Sequence, residues 1–289
     1  MVKIVFSCFK FFDMPKLFNY HYLPAKYHKS HDYCLFILNQ IEVLVLDKKF
    51  IELRQQTIPM SPQHITLLNN YKGDVTNFLE ENGLTKELDH VVKCKLLNSL
   101  IMESSYFLQE AFACSLKMRL TVSFTLFRKP FFEILIIYMR LLCEDAFISK
   151  FNTEEKFNPL ILTKSEKMSY LQKLNDLLQN IYDTDELFAF LFNKGDGENL
   201  YNIGNNAIHL YTSRNPVINT EKQNLNFIFS TKEDIEAQWE YIYDILPMLL
   251  NFFADVTDLC VGSTITVPEK LITNRFIERH KMKRMCRIE

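Results

Sequence analysis

Glycine scarcity is the feature that most limits what this chain can fold into. The sequence has 6 glycines in 289 residues. Sheet-rich folds need many tight turns, and glycine supplies the left-handed backbone conformations that such turns use. Long helices joined by a few connections need far fewer of them. Because 48% of the residues are hydrophobic, which is enough to fill a core, the sequence predicts a mainly α-helical, multi-helix bundle.

The helical pattern divides the chain into three parts. Residues 1–60 are read as an N-terminal extension of uncertain structure, in which residues 4–12 favour a short β element. Residues 33–45 fit either a strand pair or a buried helix. Residues 61–265 are predicted to form the helical bundle. Residues 266–289 are predicted to form a separate basic C-terminal tail.

The charge pattern concentrates positive charge in that tail. The whole chain has a formal net charge of -2, which argues against a generally basic nucleic-acid-binding protein. Residues 270–289 nevertheless carry seven lysines and arginines against two glutamates. This excess favours a solvated terminus, and its alternative is a phosphate-contacting tail. The tail also contains Arg275 and His280, an Arg-x-x-x-x-His spacing of a kind for which roughly half to one match is expected by chance in such a chain.

Local signals place the bundle helices. Ser61-Pro62 favours a helix start, with the helix running to residue 81, and Thr85 begins an element of about thirty residues with one apolar face. Helices are predicted at 165–181 and 184–193, capped by Ser165 and by Thr184 or Asp185. A capping box at Ser230 and Glu233 precedes the last bundle helix, which Pro247 is expected to kink.

An apolar segment at residues 127–145 contains ionisable side chains, which folds rarely bury without a partner or a task. Pro130 fits the first turn of a helix here. Spacings of seven and eleven residues place Arg140 and Glu144 on the face of Glu133. This charged seam, completed by Arg128, is either an internal ion-pair ladder or part of a functional site.

Residues 200–212 are predicted to form an amphipathic helix with an unusual polar face. Its apolar face consists of Leu200, Ile203, Ala207 and Tyr211, and its polar face consists of Asn202, Asn205, Asn206 and His209. An imidazole among amides suits acid–base chemistry or RNA contact, because histidine titrates near neutral pH. The alternative is an ordinary solvent-exposed polar face.

The cysteines and histidines suggest neither disulfides nor a metal site. Seven scattered cysteines include no C-x-x-C pair and indicate a reducing, cytoplasmic location. His28, His31 and Cys34, with His21 nearby, have zinc-ligand chemistry, but their spacing does not match paired-ligand patterns. No phosphate-binding glycine loop and no uninterrupted membrane-spanning segment is recognised. We therefore predict no metal, no cofactor and no membrane partner.

Three segments together resemble the HEPN superfamily over residues 85–260. They are the helix with Arg128 and Glu133, residues 201–212 ending in Ala-Ile-His-Leu-Tyr-Thr, and the helix at 239–250. The resemblance implies a helical domain that is either a metal-independent RNase of phage-defence or toxin–antitoxin systems, acting as a dimer, or an inactive nucleotide- or RNA-binding module. The family motif is an Arg followed four to six residues later by a His. His209 matches that His, whereas Asn202 and Asn205 stand where the Arg is expected.

Two functions follow as expectations. The first is a HEPN-like, RNA-directed defence or toxin-type protein, in which His209 is the general acid or base, Arg128 steadies the phosphate and Glu133 holds Arg128. Its RNA- or ligand-binding residues are Asn202, Asn205, Asn206, Arg140, Arg275 and His280. The alternative is a non-catalytic helical protein–protein interaction module of a bacterial defence or regulatory complex, which pairs with itself or with a partner protein. A third reading is a small-ligand sensor with an interhelical pocket lined by the charged seam.

Overall fold

The computed structural model describes residues 2–5, 20–193, 199–212, 219–228, 230–286 and 288. Helices dominate these residues, which confirms the predicted mainly α, multi-helix fold class. The helices are α1 His28–Leu46, α2 Pro62–Asn70, α3 Val75–Glu81, α4 Thr85–Leu116, α5 Leu120–Lys129, α6 Leu135–Cys143, α7 Phe147–Thr153, α8 Lys164–Leu177, α9 Thr184–Phe192, α10 Leu200–Ile208, α11 Lys232–Glu240, α12 Leu246–Thr264 and α13 Glu269–Cys286.

The core is built around α4, a helix of 32 residues that packs against α1, α5 and α12. Its buried side chains include Leu97, Ile101 and Leu108. These positions recur at helical spacing, so they line one face, as the sequence predicts. Burying this face against its neighbours supplies most of the stabilisation that a helix of this kind has.

Residues 33–45 lie within α1 and contribute directly to the core, so the buried-helix reading is the one observed. Tyr33, Ile37, Ile41 and Leu44 are buried at three- and four-residue spacing. The same main hydrophobic cluster includes side chains from α4 and α12. The helical core therefore begins well before residue 61.

The β element is a two-stranded antiparallel sheet. Strand β1 (Val2–Val5) pairs with β2 (Gln55–Ile58), with Val2 opposite Ile58 and Val5 opposite Gln55. Part of the predicted strand at residues 4–12 therefore coincides with β1. Residues 6–12 lie outside the part of the chain that the structure describes.

The helix caps lie close to the predicted ones, with small shifts. The Ser61 side chain accepts a hydrogen bond from the backbone N–H of His64, which confirms that start. The helix predicted to continue to residue 81 is instead two helices, because the chain turns at residues 71–74 and Asp74 caps α3. Two later caps, Thr163 and Asp183, lie one or two residues before the predicted ones, and the third, Thr231, lies one residue after the predicted Ser230. Neighbouring residues compete for the capping role.

Pro130 does not begin a helix, contrary to the prediction. It begins a π-helical turn, Pro130–Ile134, that joins α5 to α6 without a break. The N–H of Leu135 bonds back to the carbonyl of Pro130, five residues earlier. A π turn accommodates the missing proline N–H by local rearrangement of the hydrogen-bond ladder. Because a π turn has more residues per turn than an α-helix, Glu133 is turned about the helix axis relative to the face that the sequence predicted for the charged seam.

A second π turn, Tyr241–Ile245, joins α11 to α12 just before Pro247. The resulting stretch, Lys232–Thr264, is long and apolar enough to cross a membrane by length and composition, and 72% of its most apolar window is buried inside the structure. The mostly buried core helix of a helical bundle has the same length and composition, so this segment is only weak evidence for a membrane span.

The C-terminal segment forms helix α13, which packs on α1 and α12. Arg275 and Arg279 are buried between these helices. The charge pattern favoured a solvated terminus, and for these two arginines that expectation is wrong. They are buried because α12 supplies two carboxylates opposite them.

Candidate functional site

Helix α10, which carries the predicted His209, is fixed at its start by Asn199. The Asn199 Oδ1 accepts a 2.9 Å hydrogen bond from the backbone N–H of Asn202, and its Nδ2 donates to the carbonyl of Asn193 over 2.7 Å. The helix ends at Ile208, four residues before the predicted end, and His209 is its C-terminal cap. Tyr211, assigned by the sequence to the apolar face, therefore lies beyond the helix and is exposed.

A glycine lets α10 approach α5 closely. A Cβ on Gly204 would lie 2.7 Å from the Cγ of Arg128 and 2.9 Å from its Cδ. The aliphatic part of Arg128 thus lies directly on the α10 backbone, and its Nε is buried with no hydrogen-bond partner among the described residues. The structure therefore brings the helix of Arg128 and the helix of His209 together.

The three asparagines of the predicted polar face do not share one environment. Asn202 is buried, whereas Asn205 and Asn206 are half-buried. The Asn206 Oδ1 accepts a 3.2 Å hydrogen bond from the hydroxyl of Thr212. Asn205 contributes its backbone carbonyl to the N–H of His209 over 3.0 Å. At least two of the three asparagines therefore have surroundings set by the fold: Asn202 is buried and the side chain of Asn206 binds Thr212.

His209 itself is exposed. Its backbone carbonyl accepts a 2.7 Å hydrogen bond from the Nδ2 of Asn226. Among the contacts of the described residues, no hydrogen bond or ion pair joins its imidazole to Arg128 or Glu133. A general base needs a group that orients it, and none is found within that set.

Exposed apolar side chains flank His209 along the chain. Leu210 is 63% exposed, Tyr211 is 59% exposed and Ile208 is 45% exposed. Ile228, 55% exposed, belongs to a loop that the backbone N–H of Asn226 ties to the carbonyl of Leu210 over 2.9 Å. We call Ile208, Leu210, Tyr211 and Ile228 the α10-end patch.

The predicted pairing of Glu133 with Arg128 is not found among the described contacts. Glu133 is exposed and Arg128 is half-buried. The neighbouring Lys129 forms an ion pair with Glu103 of α4 instead. The π turn at residues 130–134 changes the direction of Glu133 relative to α5, which accounts for the missing pair.

Arg140 and Glu144 form the predicted ion pair, but inside the protein. The Arg140 Nη1 lies 2.9 and 3.0 Å from the two carboxylate oxygens of Glu144, and Nη2 donates to the carbonyl of Ile161. The Tyr170 hydroxyl donates to Glu144 over 2.6 Å. These hydrogen bonds connect α6 to α8 and to the loop before α8. Arg140 therefore has a structural role.

Sequence reasoning missed a buried polar cluster between α1, α12 and α13. Arg279 donates to Asp255 over 2.6 and 2.9 Å, to Asp258 over 2.7 Å and to the Oε1 of Gln40 over 2.7 Å. Arg275 donates to Asp258 over 2.8 Å. Two acids three residues apart on α12 face two arginines four residues apart on α13, and that spacing was the available signal.

Burial dominates the electrostatics of this cluster. Desolvation raises the pKa of Asp255 to about 6, and the guanidinium of Arg279 opposes that rise. Arg275, predicted to contact RNA, is enclosed here. His280 is exposed, and its pKa is lowered by desolvation of the charged imidazole together with the charges of Arg279, Lys283 and Arg284.

The histidines near the N-terminus of α1 have aromatic neighbours. His28 stacks on Tyr20 at 3.6 Å, while His31 is buried and its Nδ1 lies 3.1 Å from the hydroxyl of Tyr243. Desolvation, with a smaller contribution from His28, lowers the pKa of His31 to about 4. Among the described residues, no group of three or more His, Cys, Asp or Glu side chains could hold a metal ion.

No protein-family model, curated protein or solved structure matches this chain. The similarity to the HEPN superfamily therefore stays a prediction from short motifs.

Proposed function

We propose that this protein is a non-catalytic helical interaction module, acting in a bacterial defence or regulatory complex, and that it pairs with a second copy of itself through the α10-end patch. The observation that carries this proposal is the exposure of Leu210 and Tyr211 beside a His209 that has no orienting partner among the described contacts. Apolar side chains clustered at one surface commonly mark a protein interface.

A second copy is the occupant that this surface fits best. In a dimer with two-fold symmetry the same patch of each protomer meets its own copy. An apolar patch then contacts another apolar patch. Burial of a large apolar side chain contributes roughly 1.5–3 kcal/mol relative to exposure. Four such side chains from each of two protomers would provide the hydrophobic centre of the interface.

The proposed location is the cytoplasm. Six cysteines are free among the described residues, and Cys34, Cys94 and Cys260 are buried in the core. Unpaired, buried thiols of this kind are typical of proteins from reducing compartments.

Sedimentation equilibrium tests the proposal. We expect the wild-type protein to form dimers and Leu210→Asp to shift it to monomers, because a buried, unpaired carboxylate is costly. Leu67→Asp is the matched control, since Leu67 is 47% exposed on α2 and lies outside the patch. A monomeric wild type, or equal loss of dimer in both variants, would reject self-pairing.

A metal-independent RNase is the second candidate. The specific observation in its favour is the contact between Arg128 of α5 and the α10 backbone at Gly204. This contact places an arginine side chain against the helix that ends at His209. Cleavage of labelled RNA without metal, by the wild type but not by His209→Ala, would favour the nuclease over the interaction module. If neither protein cleaves RNA while both form dimers, the interaction module is favoured.

A further inference from the structure

A cleft of about 330 Å³ lies beside the α10-end patch, between α5, α10, α11 and the loop at residues 219–228. It is distinct from the charged seam, which the sequence suggested as a pocket lining. Its volume is at the lower end of the range for small-molecule sites. The chemistry of its walls decides what kind of ligand fits.

One wall is aromatic. The rings of Phe227 and Tyr241 each lie 6.0 Å from the ring of Phe124, measured between centroids. All three residues line the cleft. Phe227 has a φ of 63°, a left-handed conformation that is rare for a bulky residue, and its ring nevertheless packs on Phe124. This wall offers an apolar surface, and its ring faces attract cations.

The polar wall is rich in acceptors and carries negative charge. Glu221 and Asp234 line the cleft together with the amides of Asn206 and Gln238. Hydrogen bonds from Thr231 lower the pKa of Asp234, so it stays ionised at neutral pH. The described lining contains no lysine, arginine or histidine. An anionic ligand such as a phosphate is therefore disfavoured, and a cationic one is favoured.

The loop that closes the cleft is held in place before any ligand arrives. The Thr220 hydroxyl donates to the Oδ1 of Asn226 over 2.8 Å. The Nδ2 of Asn226 donates to the carbonyl of His209 and to the hydroxyl of Thr212 over 2.7 and 2.8 Å. A wall fixed by four groups in this way reduces the ordering cost of binding.

We infer that this cleft binds a small organic cation, an ammonium or guanidinium group attached to an apolar body. The cation faces the carboxylates of Glu221 and Asp234, and the apolar body lies on the aromatic wall of Phe124, Phe227 and Tyr241. This inference does not depend on self-pairing.

Three probes of nearly equal shape test the inference by calorimetry: 2-phenylethylamine, 2-phenylethanol and phenylacetate. We expect the amine to bind, the alcohol to bind more weakly and the carboxylate not to bind. Glu221→Gln and Asp234→Asn should each weaken amine binding by about twofold to fivefold, as expected for exposed charge pairs. An asparagine at position 234 keeps an oxygen that can accept the hydrogen bond from the backbone N–H of Thr231, the cap of α11.

Glu233→Gln is the matched control, because Glu233 is an exposed acid in the same first turn of α11 that does not line the cleft. It should leave amine binding unchanged. The inference is overturned if the alcohol or phenylacetate binds as tightly as the amine, if the double variant Glu221→Gln/Asp234→Asn binds the amine like wild type, or if no amine binding is seen up to about 10 mM. The dimer of the proposed function is measured separately, so either idea can fail alone.

Discussion

Gly204 of α10 lies directly on the side chain of Arg128 of α5, and a Cβ at residue 204 would approach the Arg128 Cγ to 2.7 Å. No other glycine with an approach this close meets a neighbouring helix in the described part of the chain. The contact brings together two helices that both contribute residues to the lining of the cleft.

Gly204→Ala should therefore destabilise the protein. Alanine gains about 1 kcal/mol over glycine from helix propensity. Overpacking against a near, poorly movable Cγ costs typically 1–3 kcal/mol, so the net loss is expected to be about 1 kcal/mol. In an Arg128→Ala background the clash is gone, and the same substitution should become stabilising. Urea unfolding of the four proteins measures this coupling, and additive effects would contradict the close contact.

Arg279→Leu should destabilise the protein strongly, because it leaves Asp255 and Asp258 buried with less compensation. Breaking a buried ion pair from one side typically costs 3–5 kcal/mol. Arg284→Leu, an exposed position on the same helix, should change stability by less than about 0.5 kcal/mol. Equal effects of the two substitutions in denaturant unfolding would show that the buried cluster contributes no more than surface charge.

His31 should make stability depend on pH between about 6.5 and 4. The unfolded chain binds a proton on this side chain below its ordinary pKa of 6.5, whereas the folded protein does so only near 4. Stability attributable to His31 is therefore complete above pH 6.5 and falls as the pH drops to 4, by about 3 kcal/mol.

His31→Phe isolates this contribution, because the carboxylates titrate in both proteins and only the imidazole is lost. We expect the difference in unfolding free energy, variant minus wild type, to rise by about 3 kcal/mol from pH 7 to pH 4. Parallel pH profiles for the two proteins would mean that His31 is solvated in the folded state.

The helices could be predicted from the sequence because their signals are local. Spacings of three and four residues identify the buried face of α4, and a serine before a proline identifies the start of α2. The caps were misplaced by one or two residues because adjacent side chains, such as Ser230 and Thr231, have nearly equal capping ability. Choosing between them depends on the tertiary position of the helix end.

The irregular turns and the buried charges could not be predicted in this way. Pro130 is compatible with a helix start and with a π turn, and only packing on both sides selects the turn. The burial of Arg275 and Arg279 depends on Asp255 and Asp258, which are distant along the chain. The predicted pairing of Arg128 with Glu133 failed for the same reason, because the position of Glu133 relative to Arg128 depends on the π turn that begins at Pro130.

Hydrogen–deuterium exchange at low and high protein concentration tests the central claim, self-pairing through the α10-end patch, most directly. We expect amide protection at residues 207–212 and 226–228 to increase with concentration in the wild type and not in Leu210→Asp. Residues 62–70 of α2 should exchange equally at both concentrations. Concentration-independent exchange at residues 207–212, or new protection confined to another surface, would contradict the proposed interface.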